Sequence, residues 1–166
     1  MIERALPILA LVSAVGCGVI GGVFFGFSSF IMRALARLPA EQGIAAMQSI
    51  NVAVINPVFL GVFVGTAITS VAVIAAGLWR WHAAGAATLV GGGALYLVGT
   101  FLLTIAFHIP RNDALAALDP KSADAAARWA EYLGSWTMGN HVRAAAAILA
   151  MAALIVAYCR LRVSAG

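Results

Sequence analysis

Four stretches of this chain carry no Asp, Glu, Lys or Arg: residues 5–32, 42–79, 81–110 and 144–159. A helix needs about 20 apolar residues to cross the hydrocarbon core of a bilayer. Inside that core every backbone N–H and C=O must be bonded within its own segment, which a helix achieves and an open strand does not. The second stretch holds a short surface helix followed by one span. The fourth becomes long enough only if its helix also takes in residues 136–143. The chain therefore reads as all-α, a single integral membrane domain over 1–166. It is a four-transmembrane-helix bundle with spans at about 6–33, 57–79, 86–109 and 136–160. At 63% hydrophobic and 10% charged residues, with mean hydropathy +1.01, it falls outside the range of soluble globular domains. The first stretch is longer than the apolar part of a signal peptide and no soluble domain follows it, so it reads as a retained span.

Between and within these spans the small and polar residues set further expectations. Gly18, Gly22 and Gly26 recur every four residues, and Gly61 and Gly65 repeat the spacing, which predicts close helix packing on those stripes. Pro39 interrupts the chain, and residues 40–55 read as an amphipathic helix with Ile44, Met47, Ile50 and Val54 on one side. Such a helix lies on the membrane surface and covers the mouth of the bundle. Asn56-Pro57 is a helix start, cap then first residue. Trp79-Arg80-Trp81 is an interfacial anchor. Gly91-Gly92-Gly93 predicts a thin, bent place in the third span, and Pro110 its end. In the connection that follows, Asn112 is placed to cap a short helix reaching Leu118, and residues 123–133 read as a second short helix.

The two long connections then share one side of the membrane, and both termini share the other. Arginines are divided between the sides. Arg4, Arg80, Arg160 and Arg162 fall with the termini, and Arg33, Arg37, Arg111, Arg128 and Arg143 with the loops. Long loops weigh less in the positive-inside rule, so the reading leans to cytoplasmic termini in a bacterial inner membrane. The net charge of +4 is scattered over segment ends, with no basic cluster for nucleic acid. Cys17 and Cys159 form no CxxC pair and read as small apolar fillers.

Against this apolar background one segment is crowded with chemistry. In Trp136-Thr137-Met138-Gly139-Asn140-His141-Val142-Arg143, the residues Trp136, Asn140 and Arg143 share a helix face at i, i+4 and i+7. His141 stands about 100° around from it. A charged residue so close to lipid is costly unless it is paired or turned inward, which makes Arg143 a functional-site candidate. Tyr96, Thr100, Thr104 and His108 step by four along the third span toward the same side, and Asn112 follows. The bland reading keeps Asn112 as a cap, pairs Arg143 with a loop acid such as Asp113, and leaves His108 at the interface. Taken as a group they favour a site. If His108 and His141 converge, they offer two imidazoles to a copper or a haem. Otherwise nothing beyond O2 is called for. No span contains Asp or Glu, which argues against a proton-coupled transporter, and no GxSxG marks a hydrolase.

In their order along the chain, four segments resemble the anthrone oxygenase-like family of small four-helix membrane proteins. They are Gly26-Phe27-Ser28-Ser29-Phe30-Ile31-Met32, Met47-to-Asn51 with Asn56-Pro57, Ile109-to-Leu115, and Trp136-to-Arg143. Two positions depart from the family's pattern: His108 stands where Asn is expected and Gly139 where a second Trp is expected. The resemblance implies oxidation of an apolar, anthrone-type aromatic to a quinone by O2. For that chemistry His141 or His108 is the candidate base, and Arg143 and Asn140 are the candidate oxyanion donors. Trp136, Tyr132, Tyr96, Thr104 and Asn112 are the candidate substrate contacts, with access from the bilayer. The competing class is a non-enzymatic membrane protein that binds a hydrophobic small molecule or a partner.

Overall fold

A computed structural model of the chain describes residues 2–163, and every regular element among them is a helix. Residues 1 and 164–166, and the side chains of residues 2–4, lie outside the described residues. Four segments are long and apolar enough to cross a membrane: Ala5–Leu35, Pro57–Trp79, Ala86–Ala116 and Ala125–Val163. The chain is an integral membrane four-helix bundle. In order the α-helices are α1 (Ile2–Gly26), α2 (Met32–Leu35), α3 (Ala40–Ala53), α4 (Pro57–Trp79), α5 (Ala86–Tyr96), α6 (Ile109–Ala116) and α7 (Ala125–Val163). A π-helical turn, Phe27–Ile31, joins α1 to α2, and two more, Leu97–Leu102 and Thr104–His108, lie between α5 and α6.

The start of α4 follows from its sequence. Asn56 is extended, its Oδ1 accepts from the N–H of Val58 (3.1 Å) and of Phe59 (3.0 Å), and Pro57 fills the first position. The end of the third span does not follow so simply. Pro110 does not close it; the helix continues to Ala116. The preceding turns are already π-wound, with the N–H of Ile109 reaching Thr104 O, so an α-helical bond has been given up before the proline is reached. Arg111 Nη1 donates to the Phe107 carbonyl at 2.9 Å. The same winding keeps the polar ladder inward. In an α-helix three steps of four residues drift by about 120°, yet Tyr96, Thr100 and His108 are all fully buried.

The second short helix expected at 123–133 is instead the beginning of α7. This helix has 39 residues, roughly 58 Å at about 1.5 Å per residue, against a hydrocarbon core of about 30 Å. One face of it carries Trp129, Tyr132 and Trp136, whose rings stack at 5.6 and 6.2 Å, so no break separates the outer part from the span. The connection between the third and fourth spans shrinks to residues 117–124.

Two apolar cores result. One lies among the spans, with Ile20, Val73, Leu89 and Leu154 fully buried. The other sits on the loop side, where Met32, Ile44, Met47, Leu115, Leu118 and Trp129 come together from α2, α3, α6, the turn after it and α7. Gln48 fixes α3 there by donating to the carbonyls of Leu115 (2.8 Å) and Leu118 (3.0 Å) at the frayed end of α6.

The glycine stripes are not where the four-residue spacing put them. Gly22, Gly61 and Gly65 have nothing near them. Close approaches are instead made by Gly16 against Thr66 of α4, by Gly18 and Gly21 against α7, by Gly77 against α5, by Gly99 against Ala146, and by Gly92 and Gly93 in α5, which passes through the glycine triplet as regular helix. A methyl on Gly93 would stand 2.8 Å from the Ser70 carbonyl oxygen, a backbone atom that cannot step aside. We expect Gly93→Ala to lower stability by about 1–3 kcal/mol, the usual cost of overpacking, and Gly61→Ala to leave it unchanged, as measured by thermal unfolding in detergent micelles.

Candidate functional site

The face predicted on α7 is the one turned inward: Trp136, Asn140 and Arg143 are all buried, Asn140 completely. Asn140 Nδ2 donates to Phe24 O and to Ser28 Oγ, each at 2.8 Å, at the entrance to the first π turn. Its Oδ1 accepts from Arg143 Nη2 at 2.8 Å. On the other flank Arg143 Nη1 donates to Thr104 Oγ1 at 3.1 Å, and Thr100 donates to the Arg143 carbonyl at 3.2 Å. The guanidinium lies 4.1 Å from the Phe24 ring centre and 5.1 Å from that of Trp136, within cation–π range. No acid among the described residues pairs with Arg143, so the loop-acid reading fails. Arg143 Nε is buried and has no hydrogen-bond partner.

Beside this group is a largely apolar hollow of about 410 Å³. Its wall takes Phe24 and Phe27 from the first span, Phe59 and Phe63 from α4, Thr104 and Asn112 from the third span, and Trp136 and Arg143 from α7. The surface helix closes it from above through Met47, Gln48, Ile50 and Asn51. Taking Trp79 as one edge of the hydrocarbon, α4 reaches the other at Pro57, so the hollow lies just inside the loop-side boundary.

Asn112 is not a helix cap. It lies within α6, and its Oδ1 accepts from Tyr132 Oη and from Trp136 Nε1, both at 2.9 Å. Tyr132 and Trp136 are thereby oriented by a third residue. Tyr96 does not reach the hollow; it is buried in the span core and spends its hydroxyl on the Phe63 carbonyl at 2.9 Å.

The two imidazoles part company. His141 is exposed on the outer side of α7, as its 100° offset from the inner face dictates. His108 is fully buried but does not line the hollow. Its ring meets Trp136 edge-on at 5.2 Å, with Nδ1 at 3.4 Å from Leu103 O and Nε2 unbonded. The pair therefore cannot converge on a copper or haem, and among the described residues no group of three His, Cys, Asp or Glu is placed to hold a metal ion. Cys17 is buried and Cys159 exposed, both free. The two departures from the family pattern touch each other. A methyl on Gly139 would stand 2.5 Å from Phe107 Cε1 and 2.9 Å from His108 Cε1, so the rings of Phe107 and His108 together occupy the space that a side chain at 139 would need.

Three polar lining residues were not picked out as site residues from sequence, Asn51, Gln48 and Asp113, and neither were the apolar ones, Phe24, Phe27, Phe59 and Phe63 among them. Asn51 Nδ2 is buried and without a hydrogen-bond partner, and Asp113 is the one carboxylate on the wall. The signal for Asp113 was its place beside Asn112, and for Asn51 and Gln48 their place on the helix expected to cover the mouth.

Fold and site define a four-span membrane protein with a ring-lined intramembrane hollow, roofed by a surface helix and floored by a buried arginine. The model of the anthrone oxygenase family matches residues 51–153, most of the chain, and the chain belongs to that family. No curated protein and no solved structure matches it. The matched region begins at Asn51, near the end of the roof helix, and takes in α4, the third span and the Trp136–Arg143 face; family membership gives the chain an oxygenase-like function in broad terms.

The doubly used Asn112 acceptor yields a direct test. Asn112→Leu leaves two buried donors without an acceptor, at about 1–3 kcal/mol each, and frees the Trp136 ring. Thermal unfolding should show the loss and tryptophan emission should shift. Asn112→Asp, which keeps the acceptor, should recover most of both.

Proposed function

We propose that the protein oxidises an apolar aromatic ketone of the anthrone type with O2, and that the hollow holds the substrate as its enolate. The observation that carries this reading is Arg143, a buried guanidinium with no acid beside it, its Nε–H without an acceptor, and a ring-lined hollow in front of it. A buried charge without a counter-charge is expensive. An anionic ligand supplies the missing partner, and Arg143 in turn favours the ionised form of that ligand in a site of low dielectric.

The chemistry balances with O2 as the only co-reactant. Loss of a proton from the ring methylene leaves an enolate whose charge rests on the ketone oxygen, facing Arg143. O2 takes the electron pair at the former methylene carbon to form a C–O bond. Protonation of the peroxide and loss of water, with the second hydrogen of that carbon, leave a new C=O. Asp113, at the wall of the hollow, is the acceptor we assign for the first proton; Asn140 positions the guanidinium, and Phe24 and Trp136 hold the rings. His141 has no part, since it faces away. His108 backs the Trp136 ring. A non-catalytic binder of the same ligand class is the second reading, favoured by the absence of either histidine from the wall. The topology we assign has both termini in the cytoplasm of a bacterial cell, with the hollow toward the opposite face.

Purified protein in lipid nanodiscs should consume O2 in the presence of anthrone. Arg143→Met should lower turnover by about 100-fold, the scale of losing one oxyanion donor, while His141→Ala should keep it. Undiminished turnover in Arg143→Met would overturn the enolate reading. Arg143-dependent binding of a hydroxyanthraquinone without O2 uptake would select the binder instead.

A further inference from the structure

A second recess, of about 230 Å³, opens on the other side of α6 from the hollow. Leu115 and Leu118 contribute apolar lining, and Arg111, Arg128, Glu131 and Ser135 bring charge and polarity to it. Two features make it a formed site rather than a solvated patch. Arg111 is held rather than free: it is half-buried, donates to Phe107 O at 2.9 Å, and lies 3.4 Å over the Phe107 ring. Its guanidinium has five donors and spends one of them on that carbonyl. Glu131 makes no ion pair with either arginine although all three line one recess, whereas Arg128 is paired with Asp124 at 3.6 Å. Ser135 gives its proton to the Glu131 carbonyl at 3.0 Å, so its oxygen is left to accept. The recess thus presents one held cation and, apart from it, a carboxylate and a hydroxyl oxygen.

Depth identifies what such a pair of charges meets. Ile109 and Met138 are the outermost exposed large apolar residues of the third span and α7 on this side, and we take them as the edge of the hydrocarbon. Arg111 is two residues past Ile109, about 3 Å along the helix, and Glu131 is seven residues before Met138, about 10 Å farther out. The headgroup layer occupies about 5–8 Å on each side of the hydrocarbon. Arg111 lies at phosphate depth, and the Glu131 backbone lies just beyond the headgroup layer, where an ammonium at the outer end of a headgroup comes within reach of its side chain. The geometry points to a binding site for a phospholipid with a primary amine in its headgroup, the ethanolamine type. Its phosphate takes the free donors of Arg111, and its ammonium, three N–H donors farther out, takes Glu131 and Ser135. A choline headgroup offers no N–H to the carboxylate, and a purely anionic headgroup brings no cation to it. This site is independent of the chemistry in the hollow.

Native mass spectrometry tests it, with the whole protein released from micelles containing equal amounts of ethanolamine, choline and glycerol phospholipids of identical acyl chains. One retained ethanolamine lipid per protein is expected, favoured over choline by about tenfold. Glu131→Gln, an exposed position that does not threaten the fold, should bring the two to parity. Arg111→Gln should reduce retention of all three lipids, and Arg111→Lys should restore part of it. The proposal is overturned if Glu131→Gln keeps the ethanolamine preference, if the wild type retains the glycerol lipid best, or if soluble phosphoethanolamine displaces the lipid at millimolar concentration. The last outcome would assign the recess to a free phosphate ester. Should Arg111→Gln fail to fold, Glu131→Gln decides alone.

Discussion

The interaction on which the rest of the structure depends is the buried Arg143 guanidinium, held by Asn140 and Thr104 rather than by an acid. A charge at the edge of the hydrocarbon needs partners, and the usual solution is a carboxylate. Here the partners are an amide oxygen, a hydroxyl and two aromatic faces. Both neighbouring spans are π-wound where they meet this group: Phe27–Ile31 on one side, Leu97–Leu102 and Thr104–His108 on the other. The wider turns give room beside α7 for two large polar side chains. Carbonyls and hydroxyls in and beside those turns then satisfy them: Phe24 O and Ser28 Oγ for Asn140, Thr104 Oγ1 for Arg143. Such turns recur at functional sites because they rearrange a helix locally without ending it.

Around that group the protein builds a container in two parts. The spans supply aromatic walls. The roof comes from a second, loop-side core that the overlong α7 makes possible, since its outer turns carry Trp129 and Tyr132 up to meet α3 and α6. The two parts meet at Asn112, whose single oxygen orients both Tyr132 and Trp136. The roof is tied down by the Gln48 amide more than by charge. The surface ion pair of Lys121 with Glu41, at 3.7 Å between exposed groups, belongs to a class worth little in water.

What was legible in the sequence was what lipid forces on a chain. Uncharged stretches marked the four spans, Asn56-Pro57 marked a helix start, and the i, i+4, i+7 spacing brought Trp136, Asn140 and Arg143 to one face. Periodicity also placed His141 off that face, and its candidacy as base rested on resemblance, not on geometry. The misreadings share one cause. Proline as a stop, Asn112 as a cap and glycines at every fourth residue are local rules, and each was overridden by tertiary packing. The π turns absorb Pro110, Asn112 answers to two aromatic donors twenty and more residues away, and the glycines that matter are those facing backbone or bulky side chains, as Gly93 faces the Ser70 carbonyl. Spacing within one helix says nothing about which neighbour stands opposite.

The account turns on Arg143 being a cation that waits for an anionic, flat ligand inside the bundle. The most direct measurement is a structure of the protein in nanodiscs with a hydroxyanthraquinone at a pH where its phenol is ionised. The account predicts planar density between Phe24 and Trp136, with the phenolate oxygen about 3 Å from the guanidinium. Density outside the bundle, or an empty hollow with Arg143 turned to Asp113, would contradict it.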